Sequence, residues 1–536
     1  MKAGCRGRWR TLAVVCAALT SLLAAPPPAG ADDARVSAAP RPAVDSRDAD
    51  FNGDGYADIA VSDTFDEGDT GYEGAVHILY GTAAGLTAQR AQYWTEDQLG
   101  GEGHRWDFFG GALAAGNFDA DAFTDLAIAI PQAELAPPFG DEGGDQGLVR
   151  IVYGSPEGLT PARSQLWNWS RMHGGADLGE HFGEALVAGN FGRGQQDDLA
   201  ISADNDTVAI LYGTTTGLQS AGHQLWSLDS PGIIGTPGTG DTFGADLVAG
   251  NFGRGEHADL AISIPEYRVG SKSGAGAVSV VYGSSAGLSA ARNQLWTQNS
   301  RGIKGRAEAN DQFGAEIAAG RLRGGSYDAL AIGVPYEKVR GKDGAGAVNV
   351  IYGSASGLGA SGDQIWSQAS RGIPGANEKA DEFGSALTIG NYGRNTGLRA
   401  YDDLAVGAYN ETVGGVERAG SVTVIYGSST GLRRTGSRAI TQKTSGVPGR
   451  PNEQASFGES LGSADVVVDT GPSFDELLVG MHVGLDWRSG EPYSAVLVAA
   501  GSASGVNTQR CQIWTAAKLG RHNLAEDLGF GDPIEG

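Results

Sequence analysis

The stretch that decides the fold is Phe243–Trp296, which reads FGADLVAGNFGRGEHADLAISIPEYRVGSKSGAGAVSVVYGSSAGLSAARNQLW. It holds four short apolar segments, F-G-x-x-L, D-L-A-I, V-x-V-x-Y-G and Q-L-W, separated by polar, glycine-rich turns. The segments are too short for ordinary helices and are bounded by turn residues. The stretch therefore predicts four short β-strands joined by tight turns.

The same pattern recurs along the whole chain, and its clearest landmark is a strand that ends in glycine. Seven copies are present, at Val76–Gly81, Val149–Gly154, Val208–Gly213, Val278–Gly283, Val348–Gly353, Val422–Gly427 and Val496–Gly501. A tryptophan follows each final glycine by 13 residues, with Ile440 replacing it once. The constant offset indicates a hairpin that packs alike in every unit. Because an aliphatic residue substitutes there, we expect these tryptophans to pack in the core rather than stack on sugars.

The two ends of the chain complement each other. The first unit lacks the Phe-Gly pair that opens units two to seven, and one more pair occurs at the end of the chain, Phe530-Gly531. It follows Trp514 by 16 residues, and the interior units have 15 to 17 residues at this point. Four-stranded sheets repeated about an axis form a propeller. We predict an all-β fold, a seven-bladed β-propeller of four-stranded blades, closed by a C-terminal strand that completes blade one and removes open sheet edges.

The landmarks also predict the domain organisation. Residues 1–31 have the basic start, the apolar run and the small-residue site of a signal peptide, and residues 32–47 read as a flexible lead-in. We therefore expect a protein secreted to the extracellular space after cleavage near Ala31, without membrane insertion. The propeller is assigned to residues 48–536, with repeats at about 48–95, 108–168, 181–227, 242–297, 312–367, 382–441 and 456–515, and with residues 516–536 closing the ring.

The repeat itself resembles a known one. Phe-Gly opens units two to seven, and Ala129-Ile130-Pro131 and Ser263-Ile264-Pro265 follow the second predicted strand. In these motifs the chain resembles the FG-GAP repeat of the integrin α-subunit N-terminal β-propeller and of many secreted bacterial proteins. The resemblance extends from about Asp48 to the C-terminus. It implies the propeller fold and a role in adhesion or recognition, while one fold hosts many functions.

The loop between the first two strands of blade one carries the pattern of a cation site. Oxygen-bearing side chains occupy loop positions 1, 3, 5 and 9, and a backbone carbonyl is available at position 7; the residues are Asp50, Asn52, Asp54, Asp58 and Tyr56. Ca²⁺ takes six to eight oxygen ligands at about 2.3–2.6 Å. The spacing matches the hairpin loop of integrin-like blades, so we predict a calcium site here. The alternative is an Asx-turn network held by backbone N–H groups.

Blade two repeats this pattern with one change. Its corresponding residues are Asn117, Asp119, Asp121, Phe123 and Asp125. Ala122 replaces the glycine that follows the third oxygen ligand. Converging carboxylates without a cation are costly, which favours a metal. We predict a second calcium site in blade two, and the alternative is again an Asx-turn network held by backbone N–H groups.

Blades three and four have lost most of the acidic residues from this loop. Arg193 and Arg254 stand there, together with one remaining carboxylate each, Asp198 and Asp259. We hypothesise that each arginine acts as a built-in cation for the aspartate of its own loop. The alternative is an exposed arginine on a glycine-rich turn.

The sequence favours a binding protein over an enzyme. The motifs H-E-x-x-H, G-x-S-x-G and G-x-x-x-x-G-K-[ST] are absent, and we assign no catalytic or cofactor-binding residue. The formal net charge of −24 disfavours nucleic acid and anionic membranes. We predict a secreted, calcium-stabilised, monomeric module that binds an extracellular protein or glycan in recognition or adhesion. The alternative is an extracellular carbohydrate-active enzyme, a lyase or hydrolase, with its site in the central channel.

The longest loops precede the third strand of a unit and are the expected places for a partner to bind. They are Glu134–Gly147, Glu266–Gly276, Glu337–Gly346 and Glu411–Gly420. Two of the four carry several basic residues on an otherwise acidic protein. Those charges indicate either a partner patch or ordinary solubilising charge.

Overall fold

The computed structural model describes residues 48–64, 66, 73–101, 103–104, 106–134, 146–173, 181–203, 206–394, 401–453, 455–466, 474–485, 492–520 and 530–535. Their strands form seven antiparallel sheets of four strands each, arranged in a ring. This confirms the predicted all-β, seven-bladed propeller. The predicted signal peptide and lead-in lie outside the described residues, so both stay predictions.

The strands of each blade are numbered one to four from the central axis outward. In that order they are Phe530–Glu535, Ile59–Asp63, Ala75–Tyr80 and Thr87–Trp94 in blade one; Leu113–Gly116, Asp125–Ile130, Leu148–Tyr153 and Thr160–Trp167 in blade two; Leu186–Gly189, Asp198–Ala203, Thr207–Tyr212 and Gln219–Trp226 in blade three; Leu247–Gly250, Asp259–Ile264, Ala277–Tyr282 and Ser289–Trp296 in blade four; Ile317–Gly320, Ala329–Val334, Ala347–Tyr352 and Gly359–Trp366 in blade five; Leu387–Gly390, Asp403–Ala408, Ser421–Ile425 and Arg438–Ile440 in blade six; Leu461–Ala464, Glu476–Leu485, Pro492–Ala500 and Asn507–Trp514 in blade seven.

Helical structure is confined to short connections. The described residues hold one α-helix, Trp169–His173, and two 3₁₀ turns, Asp97–Leu99 and Ala516–Leu519. None of these is long and apolar enough to cross a membrane.

Burial explains why the strands differ in composition. Strands two and three lie inside each blade, and Asp259–Ile264 and Ala277–Tyr282 are buried at every position. They are therefore near-continuous apolar runs, as expected for strands covered on both faces. Strand four is the outer edge and is exposed in its middle, as in Thr160–Trp167. Its final tryptophan, Trp167, is 7% exposed and packs with the core between blades two and three, which confirms the packing role.

In blades two to seven the Phe-Gly pair lies in a turn that precedes strand one, which corrects one detail of the sequence prediction; in blade one, Phe530-Gly531 begins the strand itself. Strand one of blade five begins at Ile317, after Phe313-Gly314. Phe313 is fully buried, while Gln312 and Gly314 have φ values of +54° and +93°. A Cβ on Gly314 would lie 2.8 Å from Val278 Cγ2, so only glycine fits this turn.

Neighbouring blades are joined by a repeated side-chain link. The Tyr282 hydroxyl donates to Gln294 Oε1 and accepts from the Leu358 N–H of blade five at 3.0 Å. Gln294 Nε2 in turn donates to the Leu358 carbonyl at 3.0 Å. The tyrosine hydroxyl accepts the same backbone bond at the pairs Tyr80–Leu159, Tyr153–Leu218, Tyr212–Leu288, Tyr352–Leu432 and Tyr426–Val506. The Tyr-Gly landmark of the sequence is therefore a contact between blades.

The C-terminal strand closes the ring, as predicted. Phe530–Glu535 pairs antiparallel with Ile59–Asp63, with Val61 opposite Ile534 and Asp63 opposite Phe530. Phe530 is 1% exposed and packs with residues of blades one and seven. Blade seven has Ala500 where six other blades have the linking tyrosine. Closure at this point therefore relies on strand pairing inside blade one and on the packing of Phe530 and Ile534 against blade seven.

The two loop arginines have a role that the sequence did not reveal, and the pairing hypothesis is wrong. Arg254 Nε donates to the Ser356 carbonyl of blade five at 2.7 Å, and its Nη1 donates to the Arg292 carbonyl. Its guanidinium lies over the Tyr282 ring, 4.3 Å from the centroid. Arg193 bonds the Ala286 carbonyl of blade four and lies over Tyr212 in the same way. Neither arginine forms an ion pair with the aspartate of its own loop; each connects two blades.

Replacing Arg254 with alanine should destabilise the boundary between blades four and five. Loss of two charge-assisted hydrogen bonds and one cation–π contact at a half-exposed site is expected to cost about 1–2 kcal/mol. Denaturant unfolding measures this loss, and Arg254→Lys should recover only part of it, because lysine lacks the planar fork. An Arg254→Ala variant as stable as the parent chain would contradict the connecting role.

Candidate metal centre and the two loop faces

Strand direction divides the connections between two faces of the ring. Consecutive strands of a blade are antiparallel. The connections between strands one and two and between strands three and four therefore lie at one end of the blade, and the connections from two to three and from four to the next blade lie at the other. We name the first the metal-loop face, after residues 50–58 and 117–125. The second is the hairpin face, after residues 266–276, 337–346 and 411–420.

The loop of blade two brings three carboxylates together. The side-chain oxygens of Asp119, Asp121 and Asp125 lie within 4.8 Å of one another, and Asp119 and Asp125 are buried. Asn117 Oδ1 is buried beside them without a hydrogen-bond partner. Phe123 occupies the predicted carbonyl position, and its N–H donates to Asp121 Oδ1 at 2.8 Å. Within the described part of the chain this is the group whose donor set and spacing fit a metal ion.

A guanidinium already reaches this cluster from another strand. Arg163 Nη2, on strand four of blade two, lies 2.6 Å from Asp119 Oδ2. Its charge stabilises one of the three carboxylates in the absence of a metal. Sequence reasoning missed this residue because it lies 44 positions from Asp119 and belongs to no loop motif.

The loop of blade one is organised by hydrogen bonds. Asp50 accepts from the N–H groups of Asp54 and Gly55, at 3.1 and 2.8 Å. Asn52 Oδ1 accepts from Asp54 N, and Asp54 Oδ1 accepts from Tyr56 N. Among the described residues its carboxylates do not converge as those of blade two do. The loop therefore has the geometry of an Asx-turn network, and calcium binding there stays a prediction.

The last aspartate of each loop has a structural task of its own. Asp58 accepts from Phe51 N and Gly81 N, and Asp125 accepts from the equivalent N–H groups of blade two. Asp259 makes the same two bonds, with Phe252 N at 2.9 Å and Gly283 N at 3.0 Å, in a loop without the other acidic residues. The pair of bonds is therefore independent of a metal. In the sequence, this structural role is indicated by the aspartate that begins the D-L-A-I motif, because the motif also occurs in blades that lack the acidic loop.

Burial shifts the ionisation of these aspartates. Desolvation raises the pKa of Asp58 and Asp125 to about 8, opposed in part by their two N–H donors and reinforced by the neighbouring loop carboxylates. Burial likewise raises the pKa of Asp198 to about 8 and that of Asp259 to about 7.

The metal-free protein should lose stability as the pH rises from about 6 to about 8.5. Each of these aspartates has a folded-state pKa above the ordinary value of about 3.9. At pH values between the unfolded-state pKa and the folded-state pKa, the folded chain therefore binds more protons than the unfolded chain. The stabilisation is complete below about pH 4 and is lost as the pH passes through 7 to 8. Melting temperatures in a chelator across this range measure the effect, and a flat or rising profile would contradict it.

The hairpin face presents three similar hairpins side by side. They are closed by backbone bonds between Val269 and Lys272, Val339 and Lys342, and Val413 and Val416. The first contacts the next blade, where Gln312 N donates to the Gly274 carbonyl at 3.0 Å. Most of the predicted loop Glu134–Gly147 lies outside the described residues.

Two exposed aromatic residues also lie on the hairpin face. Trp106, 44% exposed, is in the connection from blade one to blade two. Tyr336, 41% exposed, is in the connection between strands two and three of blade five. One of the basic residues of this face is neutralised within its own hairpin, since Lys338 Nζ lies 2.7 Å from Asp343 Oδ1.

The central cavity, of about 240 Å³, is lined by strand one of the blades. Its described lining consists of leucine, isoleucine, valine, alanine and glycine with two hydroxyl residues, Thr388 and Ser463. None of these residues titrates near neutral pH. The cavity therefore offers no general acid or base from its described walls.

Comparison with known proteins gives one family match. Residues 49–79 match the model of the FG-GAP repeat. No curated protein matches the chain. Among solved structures, a crystal structure of the exotype rhamnogalacturonan lyase YesX is similar over 88% of this chain and 71% of that chain, with 11% identity and a TM-score of 0.37. A likeness of this strength carries no argument about activity. The repeat match and the seven blades fit an integrin α-like propeller.

Proposed function

We propose that this FG-GAP propeller is an extracellular recognition or adhesion module whose hairpin face binds a protein or a glycan. The observation that carries the proposal is that Trp106, Tyr336 and the three hairpins lie on the same face of the ring. Large aromatic side chains exposed on a folded protein are typical of binding surfaces, because they supply apolar contact area at low entropic cost. Elaborated loops on a rigid scaffold are the usual carriers of binding.

A binding role agrees better with the central cavity than an enzymatic one. A lyase or hydrolase acting in the channel needs at least one group that transfers a proton. The described walls of the cavity carry none.

Calcium is proposed as a structural ion. In blade two it would be held by Asn117, Asp119, Asp121, Asp125 and the Phe123 carbonyl, and in blade one by the corresponding residues of the loop 50–58. Both loops are on the metal-loop face, opposite the proposed binding surface. Bound calcium would neutralise the converging carboxylates and hold the loops without contacting a partner.

Calcium should raise the melting temperature, and a chelator should lower it. A site filled at 100 times its dissociation constant adds about 2.7 kcal/mol to stability. Asp121 is exposed and its carboxylate accepts the Phe123 N–H of its own loop, so Asp121→Ala should abolish the calcium effect of blade two at a cost of only about 1 kcal/mol to the chelated protein. Asp54→Ala tests blade one in the same way. If calcium leaves the parent melting curve unchanged at millimolar concentration, the proposal fails.

The binding proposal is tested by screening the mature chain against protein and glycan arrays. Any ligand found is then titrated against Trp106→Ala and Tyr336→Ala, which remove the exposed aromatic rings. Glu157→Ala, an exposed substitution on the metal-loop face, is the matched control. We expect the first two variants to bind at least about tenfold more weakly and the control to bind as the parent does. Equal binding by all three would remove the hairpin face from the proposal.

The extracellular location is tested separately. We expect the protein in the culture medium with an N-terminus near residue 32. Retention of an uncleaved chain inside the cell would contradict secretion.

A further inference from the structure

A groove of about 660 Å³ lies at the rim of the ring, between blades five and six. Its walls come from the end of strand four in blade five, the connection to blade six and the first turn after Leu432. The groove shares no lining residue with the central cavity and contains none of the metal-loop residues 50–58 and 117–125. Its charged lining residues are Lys304, Asp363, Arg371, Arg433 and Arg434.

The groove lies where blade six departs from the repeat. Its fourth strand has three residues, Arg438–Ile440, where the other six blades have eight. The preceding residues leave the sheet and form a turn in which Ser437 N donates to the Arg434 carbonyl at 3.3 Å. Arg433, Arg434 and Thr435 of this segment line the groove.

The same departure introduces two adjacent arginines. Arg433 and Arg434 follow the Gly-Leu turn directly. The corresponding pairs of the other six blades contain no charged residue; they are Thr87-Ala88, Thr160-Pro161, Gln219-Ser220, Ser289-Ala290, Gly359-Ala360 and Asn507-Thr508. The positive charge is therefore particular to blade six and is not needed by the repeat.

The charges in the groove are unbalanced. Asp363, its one carboxylate, is engaged by Lys304, whose backbone N–H and Nζ reach the two carboxylate oxygens at 2.7 and 2.8 Å. Arg371, Arg433 and Arg434 make no ion pair with any described residue. Arg433 Nη2 makes one long bond, 3.4 Å, to the Arg394 carbonyl, and its Nε is buried without a partner.

We propose that this arginine groove is a binding site for the oxyanion of a small ligand, a carboxylate or sulfate group. Guanidinium groups bind such oxyanions through paired, charge-assisted hydrogen bonds. Three of them in one groove attract an anion although the chain has a net charge of −24, because salt screens charges beyond about 8 Å. The volume lies within the range of small-molecule sites. This inference does not depend on the hairpin face or on calcium.

Titration calorimetry of the mature chain tests the site with three probes: inorganic sulfate, citrate and a sulfated disaccharide. We expect saturable binding of at least one probe that weakens as sodium chloride is raised. In Arg433→Gln/Arg434→Gln the affinity should fall by at least about tenfold, which corresponds to about 1.4 kcal/mol. Arg301→Gln is the matched control, because Arg301 occupies the position of Arg371 at the preceding boundary between blades, where the double arginine is absent.

The outcomes separate the sources of the oxyanion. Equal affinity for sulfate and the sulfated disaccharide assigns the site to the free anion, and stronger binding of the disaccharide assigns it to an acidic sugar. Binding of citrate alone assigns it to a carboxylate. No saturable binding of any probe, or equal binding by the parent and the double variant at an unchanged melting temperature, would overturn the inference. Charge reversal in Arg434→Glu, an exposed position, checks the result if the double variant is unstable.

Discussion

A chain that ends at Leu519 is expected to lose most of the stability of the propeller. Deletion of residues 520–536 removes strand one of blade one and with it the buried side chains of Phe530 and Ile534. Loss of two buried apolar side chains of this size costs roughly 5–10 kcal/mol. Typical domains have only about 5–15 kcal/mol in total. We expect calorimetry to show a melting temperature lowered by about 10 °C or more, or no cooperative unfolding transition at all.

Two controls separate closure from the mere loss of residues. Phe313 occupies the Phe-Gly position inside the ring, so Phe313→Ala and Phe530→Ala should each cost about 3–5 kcal/mol. A permuted chain that carries residues 520–536 ahead of residue 48 should recover the parent melt, since the strand is then supplied from the other end. A truncated chain that melts like the parent would contradict closure by this strand.

Replacing Asp259 with alanine is expected to be the most damaging single polar substitution in blade four. Asp259 is fully buried and accepts the N–H groups of Phe252 and Gly283. Alanine leaves both donors buried without a partner, at about 1–3 kcal/mol each, so the expected loss is roughly 2–6 kcal/mol. Denaturant unfolding measures it directly.

The response to calcium distinguishes this structural role from metal binding. The loop of blade four lacks the other acidic positions, so the loss in Asp259→Ala should be the same with calcium and with a chelator. Asp125→Ala removes the equivalent bonds and one member of the carboxylate cluster. It should therefore lose more stability in calcium than in chelator. Identical losses in the two media for Asp125→Ala would mean that the cluster of blade two binds no calcium.

The parts of the fold that were predictable are those with a constant spacing. The glycine-to-tryptophan offset and the terminal Phe530-Gly531 pair were sufficient for blade number and closure, because both reflect packing that repeats in every blade. The hypothesis for Arg193 and Arg254 failed because their partners are carbonyls in the following blade, 93 and 102 residues away. Local spacing does not indicate how far a long side chain extends across such a boundary.

The candidate site was predictable in its residues but not in its geometry. Both acidic loops have the same oxygen pattern, and in both of them carboxylates accept N–H groups of their own loop, yet among the described residues the three carboxylates converge in blade two. The difference includes Arg163, which contacts Asp119 from strand four. The two backbone hydrogen bonds that Asp58 and Asp125 each accept were also missed. An aspartate can serve equally well as a metal ligand and as a buried hydrogen-bond acceptor, so the residue type alone does not distinguish the two roles.

The position of the closing strand has a consequence for the order of folding. Val61 pairs with Ile534, so blade one joins residues that are synthesised almost 500 positions apart. In each of blades two to seven the four strands are consecutive in sequence, so only short loops have to close for the blade to form. These blades can form in sequence as the chain is synthesised. The strand Ile59–Asp63 of blade one, in contrast, keeps an unpaired edge until the last residues of the chain are available. Blade one is therefore the last to be completed, and the interval before its completion is when the chain is most exposed to aggregation and proteolysis.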